Sequence, residues 1–304
     1  MDYPFSKLLR LSLLSIIMGS APAMMQANAQ DLDEVEITTK DLGNGIYALF
    51  GAGGNIGASV GDDGVILVDD QYAPLTDKIV AALAEISDQD VVFVLNTHYH
   101  GDHTGGNENL GKEGSIIVAH DGVYDRVSVE QVYPSQAEPV PAFTKAALPK
   151  ITFNDKMTFH LNGDSARAMH VPHAHTDGDS MIYFEGANVL HMGDLYFNYL
   201  YPYIDVEAGG TVDGVLAAQN MVLNMIDDET QIIPGHGPMA TIDDLLVNYE
   251  MIKTVRDKVA KLKADGLSLE DVLGVAPSAE YDEKWTWSFI NADKFVTSIY
   301  VSLP

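Results

Sequence analysis

Short runs rich in β-branched and aromatic residues, separated by glycine-containing turns, open the patterned part of the chain: Gly45 to Phe50, Asn55 to Val60 and Val65 to Asp69. Runs of that length bounded by glycine read as strands, and three in succession predict an antiparallel meander. The period then changes. Leu75, Ile79, Val80, Leu83 and Ile86 recur at helical spacing, and the unbroken apolar run Val91 to Leu95 follows. This predicts a surface helix feeding a strand buried on both faces. The run stops at Asn96-Thr97-His98, so whatever follows sits on a loop at the carboxyl end of a buried strand, where α/β proteins place their sites. Ile116 to Ala119 predicts another strand, and Gln131 to Lys150, with four prolines, a loop or lid.

The second half repeats the order of elements without repeating the sequence. Lys156 to Leu161, Ala166 to Val171, Met181 to Phe184 and Val189 to His191 predict a second meander, Val212 to Met225 a helix, Gln231 to Ile233 a strand, and Ile242 to Lys263 a long charged amphipathic helix. The expected fold is α/β, one compact domain over residues 30–304 in which two sheets pack together with helices on both outer faces.

The amino-terminal residues are set apart from that domain. Lys7 and Arg10 precede a short apolar core, Leu11 to Gly19, and Ala27-Asn28-Ala29 offers small residues at the spacing of a cleavage site. Together they predict an export signal over residues 1–29 cleaved after Ala29, and hence a periplasmic or secreted protein. An apolar run of about ten residues is too short to span roughly 30 Å of hydrocarbon, so no membrane anchor is expected after cleavage. Seventeen Lys plus Arg against 44 Asp plus Glu leave a net charge of −27. A field of that sign repels phosphate backbones, which argues against nucleic-acid partners and leaves a small-molecule substrate.

The chain has no cysteine. An exported protein without disulfides draws its stability from its core and any bound metal, and any metal site must use nitrogen and oxygen ligands. Five of the ten histidines and two aspartates stand at predicted strand ends or in tight turns: His98, His100, Asp102, His103, His175, Asp194 and His236. A lone histidine is more often a structural residue than a ligand. His98-Tyr99-His100-Gly101-Asp102-His103 differs, because neither packing nor solubility calls for three imidazoles and a carboxylate in six loop residues. Imidazole plus carboxylate is a donor set for zinc, with iron and manganese also accommodated.

These residues resemble the metallo-β-lactamase fold hydrolases. The resemblance rests on Asp69 at a strand end, the histidine cluster, His175 within Val171-Pro172-His173-Ala174-His175-Thr176-Asp177, Gly193-Asp194, and Pro234-Gly235-His236-Gly237. It implies a four-layer αββα sandwich of two mixed sheets holding two Zn(2+) ions. By the same resemblance His98, His100 and His175 would hold the first metal and Asp102, His103 and His236 the second, with Asp194 bridging. Two such ions share a water and lower its pKa, giving a hydroxide that attacks a carbonyl, with Asp102 orienting it. Asp69 is expected to fix an imidazole tautomer from behind. His170, His173 and His191 lie near ligands in sequence but receive no role, since strand neighbours face opposite ways.

Five aromatic residues lie between Tyr196 and Tyr203. They suggest a flat substrate wall that includes Tyr196, Phe197, Asn198 and Tyr199. The Gly51-Ala52-Gly53-Gly54 turn could be a flap or a tight hairpin. Expected export makes β-lactam ring opening the preferred reaction, with lactone, ester or thioester hydrolysis the alternative and a non-catalytic exported accessory protein of metal binding or sulfur oxidation the second. Two departures from the best-known zinc β-lactamases bear on that preference. Asp194 stands where one subclass has cysteine, and Phe197 stands where a lysine commonly grips the substrate carboxylate. Tyr196, Asn198 or Tyr199 would have to replace that lysine.

Overall fold

The computed structural model describes residues 32–304, and the expected export signal lies outside them. The first sheet has seven strands in sequence order: β1 (Thr38–Gly43), β2 (Ile46–Phe50), β3 (Ile56–Gly61), β4 (Gly64–Val68), β5 (Val91–Leu95), β6 (Ile116–His120) and β7 (Ile151–Phe153). Pairing is antiparallel from β1 to β4 and parallel from β4 to β7. The second sheet runs in the order β12 (Gln231–His236), β11 (Val189–Phe197), β10 (Asp179–Phe184), β9 (Asp164–Val171), β8 (Lys156–Leu161). Only its β11–β12 pair is parallel. Both sheets are therefore mixed. Each begins as a meander and turns parallel where a helix makes the crossover.

Nine α-helices complete the fold: α1 (Thr76–Ala84), α2 (Gly101–Thr104), α3 (Asn107–Glu113), α4 (Asp121–Val127), α5 (Val212–Leu223), α6 (Ile242–Ala264), α7 (Leu269–Val275), α8 (Asp282–Trp285) and α9 (Ala292–Ser302), counted among the described residues. Strand alternation sorts side chains into three apolar layers. Ile66, Val68, Leu95 and Val118 meet Ala168, Ile182, Phe184 and Ile233 between the sheets. Val65, Leu67, Val94 and Ile117 point the other way, toward Leu75 just before α1, Ile79 and Leu83 on α1 and Leu110 on α3. On the outer face of the second sheet Leu190, Met192 and Ile232 pack against Val215 of α5, Ile252 and Val255 of α6 and Phe295 of α9. The order helix, sheet, sheet, helix is the four-layer sandwich expected from the sequence. None of the described helices is long and apolar enough to cross a membrane.

Helix α6 shows how local signals set an element. Thr241 and Asp244 form a reciprocal capping box at its start, and Leu245, Asn248, Ile252, Val255 and Val259 make one buried stripe. Elements that the pattern missed have physical reasons. Strand β1 buries only Leu42, so no alternation exists to be read. Strand β11 extends past His191 to Phe197 because all nine of its residues are buried, and Gly193-Asp194 resembles a turn in sequence. Between Gln131 and Lys150 the only pairing among named or isolated bridges is Gln131 with Val140, in keeping with a loop.

Candidate metal centre

The site lies where the carboxyl ends of β4, β5 and β12 meet the β9–β10 loop and the middle of β11. Asp69, just past β4, takes a left-handed backbone (φ 64°), a region aspartate tolerates better than most residues. Its carboxylate accepts from the Thr97 amide (2.7 Å), the Thr97 hydroxyl (2.7 Å) and His103 Nδ1 (2.7 Å). One buried carboxylate thus fixes both the loop after β5 and the tautomer of His103.

Three of the other imidazoles are oriented in the same way, one nitrogen each held by an acceptor. His175 Nδ1 donates to the Tyr203 carbonyl (2.8 Å), and His100 Nε2 donates to Asp205 Oδ2 (3.0 Å). Thr97 Oγ1, having given its proton to Asp69, lies 3.0 Å from His98 Nδ1 and accepts from it. The second nitrogen of each ring then points a lone pair into the centre.

Those lone pairs converge as two groups. His98 Nε2 and His175 Nε2 lie 3.0 and 2.9 Å from His100 Nδ1, and 3.7 and 3.5 Å from Asp194 Oδ2. His103 Nε2 and His236 Nε2 lie 3.4 Å apart, at 3.2 and 3.4 Å from Asp194 Oδ1 and 3.7 and 3.3 Å from Asp102 Oδ2. Donors bound tetrahedrally at roughly 2.0–2.1 Å stand about 3.3 Å apart, so both groups have the spacing of an ion's coordination edges. Asp194 turns one oxygen to each group, and its buried Oδ1 has no hydrogen-bond partner. A buried anionic oxygen left without a donor is costly unless a cation faces it. The donor set therefore fits two divalent ions.

Glycine makes this approach possible at two places. A Cβ on Gly54 would lie 2.2 Å from His103 Cε1, and one on Gly235 would lie 2.1 Å from Asp194 Oδ1. Gly54 also donates to the Asp102 carbonyl (3.0 Å). The Gly51–Gly54 turn is thus a tight support pressed under His103 and not a flap.

Electrostatics make the halves unequal. Burial pushes His98 well below its usual pKa and His175 down to about 4. Burial acts the same way on His103 and His236, but nearby carboxylates outweigh it. Asp194, Asp102 and Asp69 hold His103 well above its usual value, and Asp194 with Asp102 holds His236 at about 9. In return, His103 and His236 overcome the burial of Asp102 and keep it at about 2, and with His98 they hold Asp194 well below the carboxylate range. Without metal, protons on the second group supply the positive charge its carboxylates demand. Only Asp102, His100 and His236 keep noticeable exposure (23, 16 and 14 %), so the centre opens past those three.

Of the four residues expected to line a wall, Phe197 alone touches the centre. It stacks on His236 (5.1 Å, 11°) but is buried. Tyr196 and Asn198 are corrections to that expectation. Tyr196 packs in the core and donates to Asn198 Oδ1 (2.8 Å), while the Asn198 amide holds the Pro238 carbonyl (3.0 Å). Tyr199 is a correction too, since it lies outside with its hydroxyl on Asp244 (2.8 Å). His170 and His173 bond to backbone carbonyls of Asp179 and Gly209, and buried His191 bonds to that of Asn55.

Several contributors had no sequence signal. Asp205 accepts from both Tyr99 Oη (2.6 Å) and His100. Asn55 donates to the carbonyls of Pro234 and Gly237 (2.9 Å each), holding the His236 turn. Tyr99 could have been flagged by its place inside the histidine cluster. A single aspartate in an unpatterned stretch could not.

Comparison with known proteins agrees with this geometry. The metallo-beta-lactamase superfamily profile matches residues 51–237. The lactamase-like protein aptB of Emericella nidulans is 30% identical over 181 residues, 59% of this chain and 49% of that protein. A hydroxyacylglutathione hydrolase of Pelagibacter ubique is 26% identical over 148 residues, 47% of this chain and 51% of that one. The chain thus matches about half the length of these curated relatives. Among solved structures, a metallo-beta-lactamase from Pontibacter korlensis superposes with TM-score 0.59 at 16% identity, over 72% of this chain and 99% of that one. The sec-alkylsulfatase Pisa1 from Pseudomonas sp. does so with TM-score 0.66 at 17% identity, over 90% of this chain and 50% of that one.

Proposed function

The chain belongs to the metallo-beta-lactamase superfamily, and from that premise we propose that it is a dinuclear zinc hydrolase acting on an activated carbonyl. The observation that carries the reading is Asp194, one carboxylate facing two separate histidine groups with a buried oxygen that no protein donor satisfies. Two divalent ions held by these groups would supply Lewis acidity, activating water and polarising the substrate carbonyl. Asp102, anionic at neutral pH and the most exposed of the ligands, would orient the attacking water. Asp69, Thr97, Asp205 and the Tyr203 carbonyl hold four imidazoles in one tautomer, so little reorganisation accompanies reaction.

The geometry favours ester, thioester or lactone substrates. A β-lactam's carboxylate needs a cation or hydroxyl to grip it. The position of the usual lysine is the buried, uncharged Phe197, and none of Tyr196, Asn198 and Tyr199 turns toward the centre. The hydroxyacylglutathione hydrolase relatives, named for a thioester, support the same choice. β-Lactam opening is the second reading, favoured by the His98-X-His100-X-Asp102-His103 order and the expected export.

Metal analysis of purified protein beside a panel of a hydroxyacylglutathione, a γ-lactone, phenyl acetate, nitrocefin and a carbapenem tests both, with His100→Ala as control. Expected is hydrolysis of an ester, thioester or lactone that needs metal and His100. Cleavage of the β-lactams alone would reverse the order of the readings, and no cleavage by protein holding two metal equivalents would remove the hydrolase reading.

A further inference from the structure

The rings that reach the centre come from outside the aromatic run after Asp194. Trp287 lies 5.9 Å from His236 and 6.2 Å from Phe197, Phe289 lies 5.5 Å from Trp287, and Tyr203 lies 5.3 Å from Phe289 and 5.7 Å from His100. The arc thus starts beside a ligand of the second group and ends beside a ligand of the first, spanning the exposed side of the centre. Its inner member, Phe197, is buried, whereas Tyr203, Trp287 and Phe289 are each half-buried.

The arc is built and not incidental. Trp287 Nε1 donates to the Tyr201 carbonyl (3.0 Å), and the Trp287 amide closes a turn on the Ile290 carbonyl (3.1 Å). The Tyr201 amide returns a bond to the Trp285 carbonyl (2.8 Å), tying the segment between α8 and α9 to the stretch after β11. Successive rings meet edge to face, at 68° for Trp287–Phe289 and 71° for Phe289–Tyr203, an arrangement that fixes each ring against its neighbour. None of the four side chains is charged at neutral pH.

The geometry points to a substrate-recognition arc in which Trp287, Phe289 and Tyr203 receive a planar, apolar, aryl-type group attached close to the scissile carbonyl. The inference rests on the hydrolase reading for the reaction and on ring placement for the specificity. A flat hydrophobic group beside half-buried aromatic rings gains from leaving water and from ring–ring contact. A small aliphatic acyl compound reaches the same centre without that gain.

The chain has two tryptophans, and Trp285 is buried at 3 % exposure while Trp287 stands in the arc, which gives a readout separate from turnover. Metal-loaded protein is titrated with 4-nitroacetophenone, a flat aryl ketone with no bond to hydrolyse, and tryptophan emission is followed. Saturable quenching is expected, lost in Trp287→Phe, where only Trp285 still emits. In parallel, Trp287→Ala should lower the ratio of kcat/KM for 2-naphthyl acetate to that for methyl acetate about tenfold, with Phe289→Leu as a milder variant moving it in the same direction. Quenching that never saturates, saturable quenching that persists in Trp287→Phe, or a selectivity ratio unchanged in both folded variants would overturn the assignment. Saturable, Trp287-dependent quenching with no hydrolysis of any ester or thioester would leave the arc standing and sink the hydrolase reading instead.

Discussion

Replacing Asp205 by alanine separates two ways of holding His100, a directed hydrogen bond and simple packing. Asp205 Oδ2 takes Tyr99 Oη at 2.6 Å and His100 Nε2 at 3.0 Å, while Oδ1 takes the Ala208 amide at 3.0 Å. The carboxylate is buried, and its pKa is held below the ordinary range because hydrogen bonds from His100 and Tyr99 outweigh burial. Without it, His100 can carry its proton on either nitrogen and its ring can turn. Loss of a partner of this kind weakens metal affinity on the order of 10–100-fold, or about 1.4–2.8 kcal/mol. Asp205→Asn should do nearly as much, since an amide NH2 facing His100 Nε2–H sets donor against donor. Tyr99→Phe removes one bond and leaves the carboxylate on His100, so about 1 kcal/mol, or fivefold, is expected. Competition for Zn(2+) against a chromogenic chelator reads both equivalents in one titration. One should weaken, the one bound with His100, because Asp205 makes no hydrogen bond to the second group. If folded Asp205→Ala and Asp205→Asn keep wild-type affinity for both equivalents, the carboxylate does not position His100 and the reasoning fails.

Three further outcomes follow from the same geometry. His103 and His236 are raised by carboxylates, so in metal-free protein they add stability that is full below pH about 6.5 and lost as pH rises through their raised values, about 9 for His236. Thermal unfolding of the metal-free form should therefore fall over that window, and metal uptake at neutral pH should release protons to a weak buffer. A flat profile with no proton release would contradict the electrostatics. Gly54→Ala puts a Cβ 2.2 Å from His103 Cε1 and should displace that ring, cutting bound metal from two equivalents toward one by elemental analysis. Phe184→Ala empties a fully buried position between the sheets and should cost about 3–5 kcal/mol in denaturant unfolding, with the ligand set untouched.

What could be read from sequence divides along physical lines. The Val91–Leu95 strand and the Ile242–Ala264 helix were legible because each carries its own period and its own stop signal. The seven candidate ligands were legible because their chemistry has no other economical use, and the structure brings all seven into two adjoining groups. Short helices α2, α3 and α4, with four, seven and seven residues, are too brief to show a period. Residues 265–304 contain three helices that the pattern left unassigned, and these helices exist mainly because the outer face of the second sheet needs covering. Asp205 and Asn55 act through bonds to residues more than a hundred positions away, which no local pattern encodes.

The substrate wall shows most clearly why nearness in sequence misleads. Tyr196 and Phe197 are neighbours on a strand, and successive side chains on a strand face opposite ways. One must enter the helix-covered core, and it is Tyr196. Phe197 then faces the centre and stacks on His236. Tyr199 takes a left-handed backbone (φ 58°) that turns the chain, and its hydroxyl leaves toward Asp244. A run of adjacent aromatics cannot present one flat surface while half of it is strand. The surface that does form draws Tyr203 from beyond that turn and Trp287 and Phe289 from more than eighty residues further on, joined by the hydrogen bonds between Tyr201 and residues 285–287. The proposed arc therefore takes Trp287 and Phe289 from outside the 51–237 stretch that the family profile matches, whereas Tyr203 and all seven candidate ligands lie inside it. Substitutions at 287 and 289 should accordingly change which carbonyl is chosen, and substitutions at the seven ligands whether any is cleaved.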